Sequence, residues 1–168
     1  MFEEGGGLSL RTFKTVKGLP IYNQKTAKLI GTVEDLCFSP KGFVIGLVMD
    51  GKGLFKRDRF IPIDVIQALG DDGVMIQSEE RLLTCQEMKS CYEFETYDQL
   101  RFKAVFTETG DKIGLLDDVY FSPQMGRIEA YELTDGFFAD LAEGKKVVKA
   151  TGQPLAISKD AIVMEFEP

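Results

Sequence analysis

Two pairs of adjacent carboxylates are the clearest chemical signal in this sequence. Glu34-Asp35 and Asp117-Asp118 occupy matching places in two similar stretches of chain. Paired carboxylates can bind a divalent cation or act as acid and base in catalysis. Adjacent residues of a β-strand point to opposite faces, however, so neither pair can direct both side chains at one ion. We therefore expect Asp35 and Asp118, which are identical between the stretches, to accept hydrogen bonds from turn amides.

The densest group of cations lies in and after a predicted hairpin turn at Asp50 to Gly53. It consists of Lys52, Lys56, Arg57 and Arg59. Contact with RNA is one interpretation, because basic side chains neutralise phosphates. The other is that charges on an exposed hairpin prevent edge-to-edge pairing of strands. The sequence favours the second interpretation and argues against nucleic acid as a partner, because the pI is near 4.7 and a protein this acidic is repelled by phosphate backbones.

Histidine is absent from the chain. Its absence excludes Ser-His and Cys-His catalysis and His-ligated metal sites, and it removes the usual general base near neutral pH. The three cysteines, Cys37, Cys85 and Cys91, cannot all pair, and their spacing fits no zinc motif. We expect a non-enzymatic protein of the reducing cytoplasm without a catalytic residue, cofactor or metal ion.

Composition places the chain among folded globular proteins. Of its 168 residues 44% are apolar and 28% charged. The longest nearly unbroken apolar run, Phe43 to Met49, is far shorter than a membrane helix, and the acidic start lacks the apolar core of a secretory signal. Residues 1–90 carry 12 basic and 12 acidic side chains, so the whole net charge of −7 comes from the second half.

An internal repeat organises the sequence. The stretch from Ile30 to Pro40 returns as Ile113 to Pro123 at an offset of 83, with six of eleven positions identical. Residues 72–76 return as 160–164 at an offset of 88. Two similar stretches in the same order indicate duplication, and the larger second offset indicates extra residues in the second copy, near 135–144.

Each copy shows the pattern of short strands separated by turns. We predict strands at 19–22, 29–38, 43–49, 55–61 and 74–76, and a short helical turn over 62–70 that ends at Gly70. Several short strands with turns every eight to ten residues are typical of a small barrel. One strand face of the repeat is predicted to be buried, unless a β-bulge breaks its parity: Ile30, Leu36, Phe38, Ile113, Val119 and Phe121.

The order of several loose motifs resembles the PRC-barrel family. The motifs are Gly18 to Ile21, Ile30 to Asp35, Gly46 to Val48, Phe60 to Ile66 and Asp71 to Ile76. The family includes the cytoplasmic barrel of the photosynthetic reaction centre H subunit and the C-terminal barrel of the ribosome maturation factor. The resemblance covers residues 8–78 well and about 100–167 less well, because the second copy lacks the Ile-Pro-Ile-Asp element. It implies a bacterial adaptor or scaffold without catalytic residues.

The resulting assignment is an all-β protein of two small PRC-type barrels in tandem. Unit 1 spans 8–78, a partly helical linker spans 79–96, and unit 2 spans 97–167. We expect it to bind a protein partner or to self-associate; the alternative is a ribosome- or RNA-associated module, with the basic hairpin as its contact. The predicted partner site is the extra stretch of unit 2, with Phe137, Phe138 and Asp140. The alternative is that both aromatic rings pack in the core and bind nothing.

Overall fold

The computed structural model describes residues 10–51, 57–122, 126–135, 146–150 and 156–165. The elements of the first half are β1 (Arg11–Thr12), α1 (Phe13–Val16), β2 (Pro20–Asn23), β3 (Leu29–Phe38), β4 (Val44–Gly51), β5 (Arg59–Pro62), a 3-10 turn (Ile63–Val65), β6 (Ile66–Leu69), β7 (Val74–Ile76), β8 (Leu83–Thr84) and α2 (Cys85–Cys91). Those of the second half are β9 (Glu95–Thr96), α3 (Tyr97–Leu100), β10 (Ala104–Thr107), β11 (Lys112–Ser122), β12 (Arg127–Thr134), β13 (Lys146–Lys149), β14 (Ala156–Ile157) and β15 (Ala161–Met164).

The strands of the described residues form two sheets with the same strand order. The first sheet runs β6-β7-β2-β3-β4-β5-β8 and the second runs β14-β15-β10-β11-β12-β13. In each sheet one parallel pair, β2 with β7 or β10 with β15, joins neighbours that are otherwise antiparallel. The predicted all-β fold of two similar units is therefore confirmed. The segment predicted as a partly helical linker contains β8 and α2.

The predicted helical turn over 62–70 is wrong in its second part. Only Ile63–Val65 forms a 3-10 turn, and the chain then continues as strand β6. Ile66 pairs with Ile76 and Leu69 with Val74, and the hairpin closes where the amide of Gly70 donates to the carbonyl oxygen of Gly73. Pairing with β7 satisfies backbone groups that a single turn of helix leaves unpaired.

A bulge in the long strand of each repeat explains which of the six predicted residues are buried. Leu36, Phe38, Val119 and Phe121 are buried, whereas Ile30 and Ile113 are half-buried. The register of β3 with β4 shifts between Val33 and Asp35, and that of β11 with β12 shifts between Leu116 and Asp118. An extra residue at the bulge reverses the alternation of faces, so Val33 and Leu116 face the core instead of the two isoleucines.

The repeated glycine before each bulge lets the neighbouring strand come close. A Cβ atom on Gly31 would clash with the carbonyl oxygen of Asp50, and one on Gly114 would lie 3.0 Å from Cβ of Leu133. Both positions therefore need a residue without a side chain. This close approach is the physical reason for the Ile-Gly pair at the start of the repeated stretch.

The first strand of each half pairs with the sheet of the other half, and the helix that follows it packs against that sheet. Strand β1 pairs with β11, through Arg11 with Phe121 and Thr12 with Tyr120. Strand β9 pairs in the same register with β3, through Glu95 with Phe38 and Thr96 with Cys37. Helices α1 and α3 follow these strands, and the ring centroids of Phe13 and Tyr97 meet at 4.8 Å. The two halves thus exchange equivalent segments.

The exchange places both sheets around one hydrophobic core. Buried residues of the exchanged helices, such as Val16 and Leu100, belong to the same apolar cluster as residues of both sheets, such as Leu36 and Val119. A barrel of about 70 residues buries only about 60% of its unfolded surface and is marginal alone, so a shared core stabilises both halves. None of the helices in the described residues has the length and hydrophobicity that crossing a membrane requires.

Because each half supplies a segment to the other, we predict that cutting the chain between them leaves the complex intact. A protease site inserted after Glu93, between α2 and β9, would be cleaved in the folded protein. The two fragments should then elute together from a sizing column and separate only in denaturant, which also confirms complete cleavage. Separation under native conditions would contradict the exchange.

Tyr131 carries a hydroxyl group that the core does not use. The residue is fully buried, and its hydroxyl has no hydrogen-bond partner among the described residues. The equivalent residue of the first half is Leu47, because Leu36 pairs with Leu47 as Val119 pairs with Tyr131. A leucine at that position shows that the fold itself needs only an apolar group there.

We therefore predict that Tyr131→Phe leaves the free energy of unfolding unchanged or raises it, by up to about 2 kcal/mol, because an unpaired buried hydroxyl is costly. Tyr97→Phe is the control, since the Tyr97 hydroxyl donates to the carbonyl oxygen of Asp117 at 2.6 Å. That variant should lose about 1 kcal/mol. Urea denaturation followed by circular dichroism measures both, and a larger loss in Tyr131→Phe than in Tyr97→Phe would contradict this account.

Candidate functional site

The repeated aspartates hold the exchanged helices in place. Oδ1 of Asp118 accepts hydrogen bonds from the amides of Phe13 at 3.0 Å and Lys14 at 3.3 Å, and from its own neighbour Val119 at 2.8 Å. Thr12, which precedes α1, makes no capping bond of its own. The carboxylate of one half therefore satisfies the free amides at the start of the other half's helix.

The first half shows the same contact in reverse. Oδ1 of Asp35 accepts from the amide of Asp98 at 3.1 Å and from that of Leu36 at 2.9 Å. Here Thr96 also caps α3, in a capping box with Gln99. Asp35 and Asp118 therefore accept backbone amides as predicted, but the donors belong to helices of the opposite half and to the next strand residue, not to turns.

Asp117 lies beside Asp118 but serves a different contact. Its carboxylate is only 4% exposed, and it forms ion pairs with Nζ of Lys14 at 2.7 Å and with Nη2 of Arg101 at 3.7 Å. Glu34, at the equivalent position of the first half, is exposed. The two carboxylates therefore make different contacts: Asp118 accepts backbone amides of α1, and Asp117 pairs with the side chains of Lys14 and Arg101. Among the described residues, no group of three or more His, Cys, Asp or Glu side chains is placed to hold a metal ion.

Burial governs the protonation of these acids. Desolvation raises the pKa of the Asp118 carboxyl group, although the hydrogen bonds from Val119 and Lys14 and the charge of Lys14 oppose the shift. Desolvation also raises the pKa of Asp35, against the bonds from Leu36 and Asp98. It raises the pKa of the Tyr97 hydroxyl as well. These shifts follow from structural burial, and each shifted group is already engaged in a hydrogen bond.

Next to Arg101 in the chain is an aromatic residue with an unusual backbone conformation. Phe102 has φ +67° and is 53% exposed. Its amide donates to the carbonyl oxygen of Leu116 at 2.7 Å, and the guanidinium of Arg101 lies 4.6 Å from the centre of its ring. We name Lys14, Arg101 and Phe102 the Phe102 surface: Asp117 pairs with Lys14 and Arg101, and Arg101 contacts the ring of Phe102.

The first half has a glycine where the second has Phe102. Gly18 has φ +86° and donates its amide to Val33, the equivalent of Leu116, at 2.8 Å. A Cβ atom added to Gly18 would meet no atom within 4 Å, so the position requires a left-handed backbone but not a small residue. The other positions of the Phe102 surface also differ between the halves. Asp98 occupies the position equivalent to Lys14, and Lys17 the position equivalent to Arg101.

The sequence carries a signal for this surface in the segments that precede the repeated stretch. The repeated stretch begins at Ile30, whereas the segments before it align at an offset of 84, with Thr12 on Thr96 and Phe13 on Tyr97. That alignment places Phe102 opposite Gly18. The sequence thus shows a bulky residue where the other copy has a turn glycine. Its exposure and its contact with Arg101 are visible only in the structure.

The residues predicted for RNA contact are not all within the described part of the chain. Lys52 and Lys56 lie outside it. Arg57 is exposed, and Arg59 is partly buried in β5. Both line a cavity of about 230 Å³ together with Met49 and Glu79. The RNA contact stays a prediction.

The residues predicted for partner binding, Phe137, Phe138 and Asp140, lie outside the described residues. The structure therefore does not test that prediction. What it adds is a different exposed aromatic side chain, Phe102, in the same half of the chain.

Comparison with known proteins agrees with the duplicated architecture. The profile of the PRC-barrel domain matches residues 11–83 and again residues 93–165. The first match begins with the exchanged strand β1, and the second begins two residues before the exchanged strand β9. The chain is also 38% identical over 158 residues to the uncharacterized protein YrrD of Bacillus subtilis, which covers 93% of this chain and 88% of that protein.

The raised pKa of Asp118 predicts how its contribution to stability changes with pH. The folded state binds the proton more readily than the unfolded state, so this contribution is fully present below the unfolded pKa and is lost as the pH rises through the folded one. Asp118→Asn keeps an acceptor oxygen but cannot titrate. The free energy of unfolding of the natural protein should therefore rise relative to that of Asp118→Asn as the pH falls from 7 towards the unfolded pKa of aspartate, about 3.9.

Asp118→Ala is the control for the hydrogen bonds themselves. It leaves the amides of Phe13 and Lys14 without their acceptor and should cost about 3 kcal/mol at pH 7. Urea titrations at several pH values measure all three proteins. A stability difference between Asp and Asn that stays constant or shrinks on acidification would contradict the assigned shift.

Proposed function

Because this chain belongs to the PRC-barrel domain family, with one matched domain in each half, we propose that it is a non-enzymatic adaptor whose Phe102 surface binds a protein partner. The observation that carries the proposal is the exposed phenylalanine in a left-handed conformation. Exposed aromatic side chains are characteristic anchors of protein interfaces, since each brings a large apolar area at a small cost in side-chain entropy.

The conformation of Phe102 is unfavourable to the fold. A left-handed backbone costs a residue with a side chain about 1–2 kcal/mol relative to glycine, and for a bulky residue it is rare. Gly18 supplies the same turn in the first half without that cost. Strained residues of this kind concentrate at binding sites. A half-exposed ring recovers little packing energy in return, so binding is the function that accounts for it.

The buried acids support an adaptor over an enzyme. Asp35 and Asp118 accept backbone hydrogen bonds, and Asp117 is ion-paired with Lys14. These contacts use the groups in structural roles, and the chain has no histidine to serve as general base. We propose a reducing cytoplasmic location, which agrees with the free thiols of Cys37, Cys85 and Cys91.

We predict that Phe102→Gly separates binding from stability. The relief of backbone strain offsets the lost ring contacts, so the free energy of unfolding should stay within about 1 kcal/mol of the natural value. A buried phenylalanine would cost about 3–5 kcal/mol on truncation. Binding should be lost, which is tested by placing a photo-crosslinking phenylalanine analogue at position 102 in the native cell.

Phe43 provides the matched control, because it is 51% exposed, close to the 53% of Phe102, and has no positive φ. The crosslinker at position 102 should capture a defined protein, and the one at position 43 should not capture the same protein. Competition with unlabelled natural protein should remove the product, whereas competition with Phe102→Gly should not. Equal capture from both positions, or a large loss of stability in Phe102→Gly, would overturn the proposed function.

A further inference from the structure

Resting on the proposed function, we infer that the Phe102 surface selects a segment carrying carboxylates next to an apolar residue, that Arg101 is the selecting residue, and that each chain binds one such segment. The inference concerns the chemistry of the partner, which the proposed function leaves open. It is carried by the placement of charge around Phe102 and by the different charge at the equivalent place in the first half.

The Phe102 surface is locally positive on an acidic protein. Its partly exposed charges are those of Lys14 (36%) and Arg101 (43%), both positive, whereas the whole chain carries −7. The two acids beneath them are buried: Asp117 pairs with Nζ of Lys14 at 2.7 Å, and Asp118 accepts the amide of Lys14. A local field of this sign attracts acidic groups even when the protein as a whole is acidic.

Arg101 is placed to recognise a carboxylate. Its side chain is 43% exposed, and Asp117 holds Nη2 only at 3.7 Å, which is longer than a hydrogen bond. Its guanidinium carbon lies over the ring of Phe102, 4.6 Å from the ring centre, so the two side chains are in cation–π contact. A planar guanidinium with free donors binds a carboxylate through two parallel hydrogen bonds. An apolar residue beside that carboxylate would then lie against Phe102.

The first half provides the opposite surface at the equivalent positions. Asp98 and Glu34 contribute two negative charges and Lys17 one positive charge, and Gly18 offers no ring. The three charged side chains are exposed. An acidic segment is therefore attracted to one position and repelled from the other, which sets one binding site per chain and favours acidic over basic partners.

Two other occupants fit less well. Nucleic acid binding depends on several cations that neutralise successive phosphates, and this surface offers two. A second copy of the chain would present its own acidic counterpart, but that place carries Gly18 and so brings no apolar side chain at the position equivalent to Phe102. The partner is therefore a different protein with an acidic, apolar segment.

The test uses three hexapeptides with two central leucines, flanked on each side by two glutamates, two glutamines or two lysines. Fluorescence anisotropy measures affinity, and NMR shifts of the amide of Phe102 and of Nε–H of Arg101 locate binding. The glutamate peptide should bind at least tenfold more tightly than the lysine peptide, with the glutamine peptide between them. No preference for glutamate, or shifts elsewhere on the protein, would overturn the inference.

Variants then separate the contribution of the Arg101 charge from that of the Phe102 ring. Arg101→Gln should weaken the glutamate peptide at least tenfold and leave the glutamine peptide nearly unchanged, whereas Phe102→Gly should weaken both. Arg101→Lys should restore part of the preference, because it keeps the charge but loses the planar pair of donors. An Arg101→Gln variant that still prefers the glutamate peptide would show that Arg101 does not select.

The equivalent positions of the first half allow a gain-of-function experiment. Gly18→Phe combined with Lys17→Arg and Asp98→Lys should raise the number of glutamate peptides bound per chain from one to two in calorimetry. A Cβ atom at Gly18 has free space, Lys17 is exposed, and Asp98 contacts Asp35 through its backbone amide, so these changes keep the backbone contacts. Two peptides on the natural protein, or one on a correctly folded variant, would contradict the assignment.

Further measurements test whether RNA or a second copy of the chain binds instead, and they separate failure of this inference from failure of the proposed function. A 20-nucleotide RNA that competes with the glutamate peptide through Arg101, or sedimentation showing self-association that Phe102→Gly abolishes, would overturn the choice of occupant. If the crosslinker at position 102 captures a partner through a segment without acidic residues, this inference fails and the proposed function stands. If it captures nothing, the proposed function fails.

Discussion

The structure depends on a reciprocal hydrogen-bond contact between the two halves of the chain. Asp118 receives the first amides of α1, and Asp35 receives an amide at the start of α3. Each helix has only four residues, so most of its amides lack a partner within the helix. Each half therefore needs the other half's aspartate to bury its short helix, and the two sheets are held together around one core.

The bulge in the long strand makes this contact geometrically possible. Without the bulge, successive side chains along β11 would point strictly to alternate faces of the sheet, so Leu116 and Val119 would lie on opposite faces. The register shift between Leu116 and Asp118 lets Leu116 and Val119 both face the core, while Asp118 reaches the exchanged helix. The same shift next to Asp35 repeats the arrangement in the first half. A buried carboxylate is costly to desolvate, and its acceptance of backbone amides offsets that cost.

Duplication gives the chain two equivalent places that share their structural residues and differ in their exposed ones. The aspartates and the register of the exchanged strands are the same in both halves. The residues around them differ in charge and size, from Gly18 and Asp98 in one place to Phe102 and Lys14 in the other. Residues that hold the halves together are thus kept alike, while the exposed positions next to them are free to acquire a binding role.

The sequence by itself determined the all-β class, the duplication and most of the strands, because these depend on local alternation and on turn residues. It also indicated that Asp35 and Asp118 bind backbone amides, since both recur at the same position of the repeat. It misjudged 66–69 as helix, because pairing with β7 is not visible in the local pattern. The half-burial of Ile30 likewise depends on a bulge whose presence only the neighbouring strand reveals.

Only the tertiary structure decided which half each aspartate serves. Asp118 and the amide of Phe13 are 105 residues apart, and Asp35 offers a nearly identical acceptor much nearer in the chain. Local periodicity reports which face a residue lies on, but it does not choose between two equivalent strands as the partner of a segment. That choice depends on how the whole chain packs. The same choice places Lys14 of one half beside Arg101 and Phe102 of the other, and so creates the surface proposed for binding.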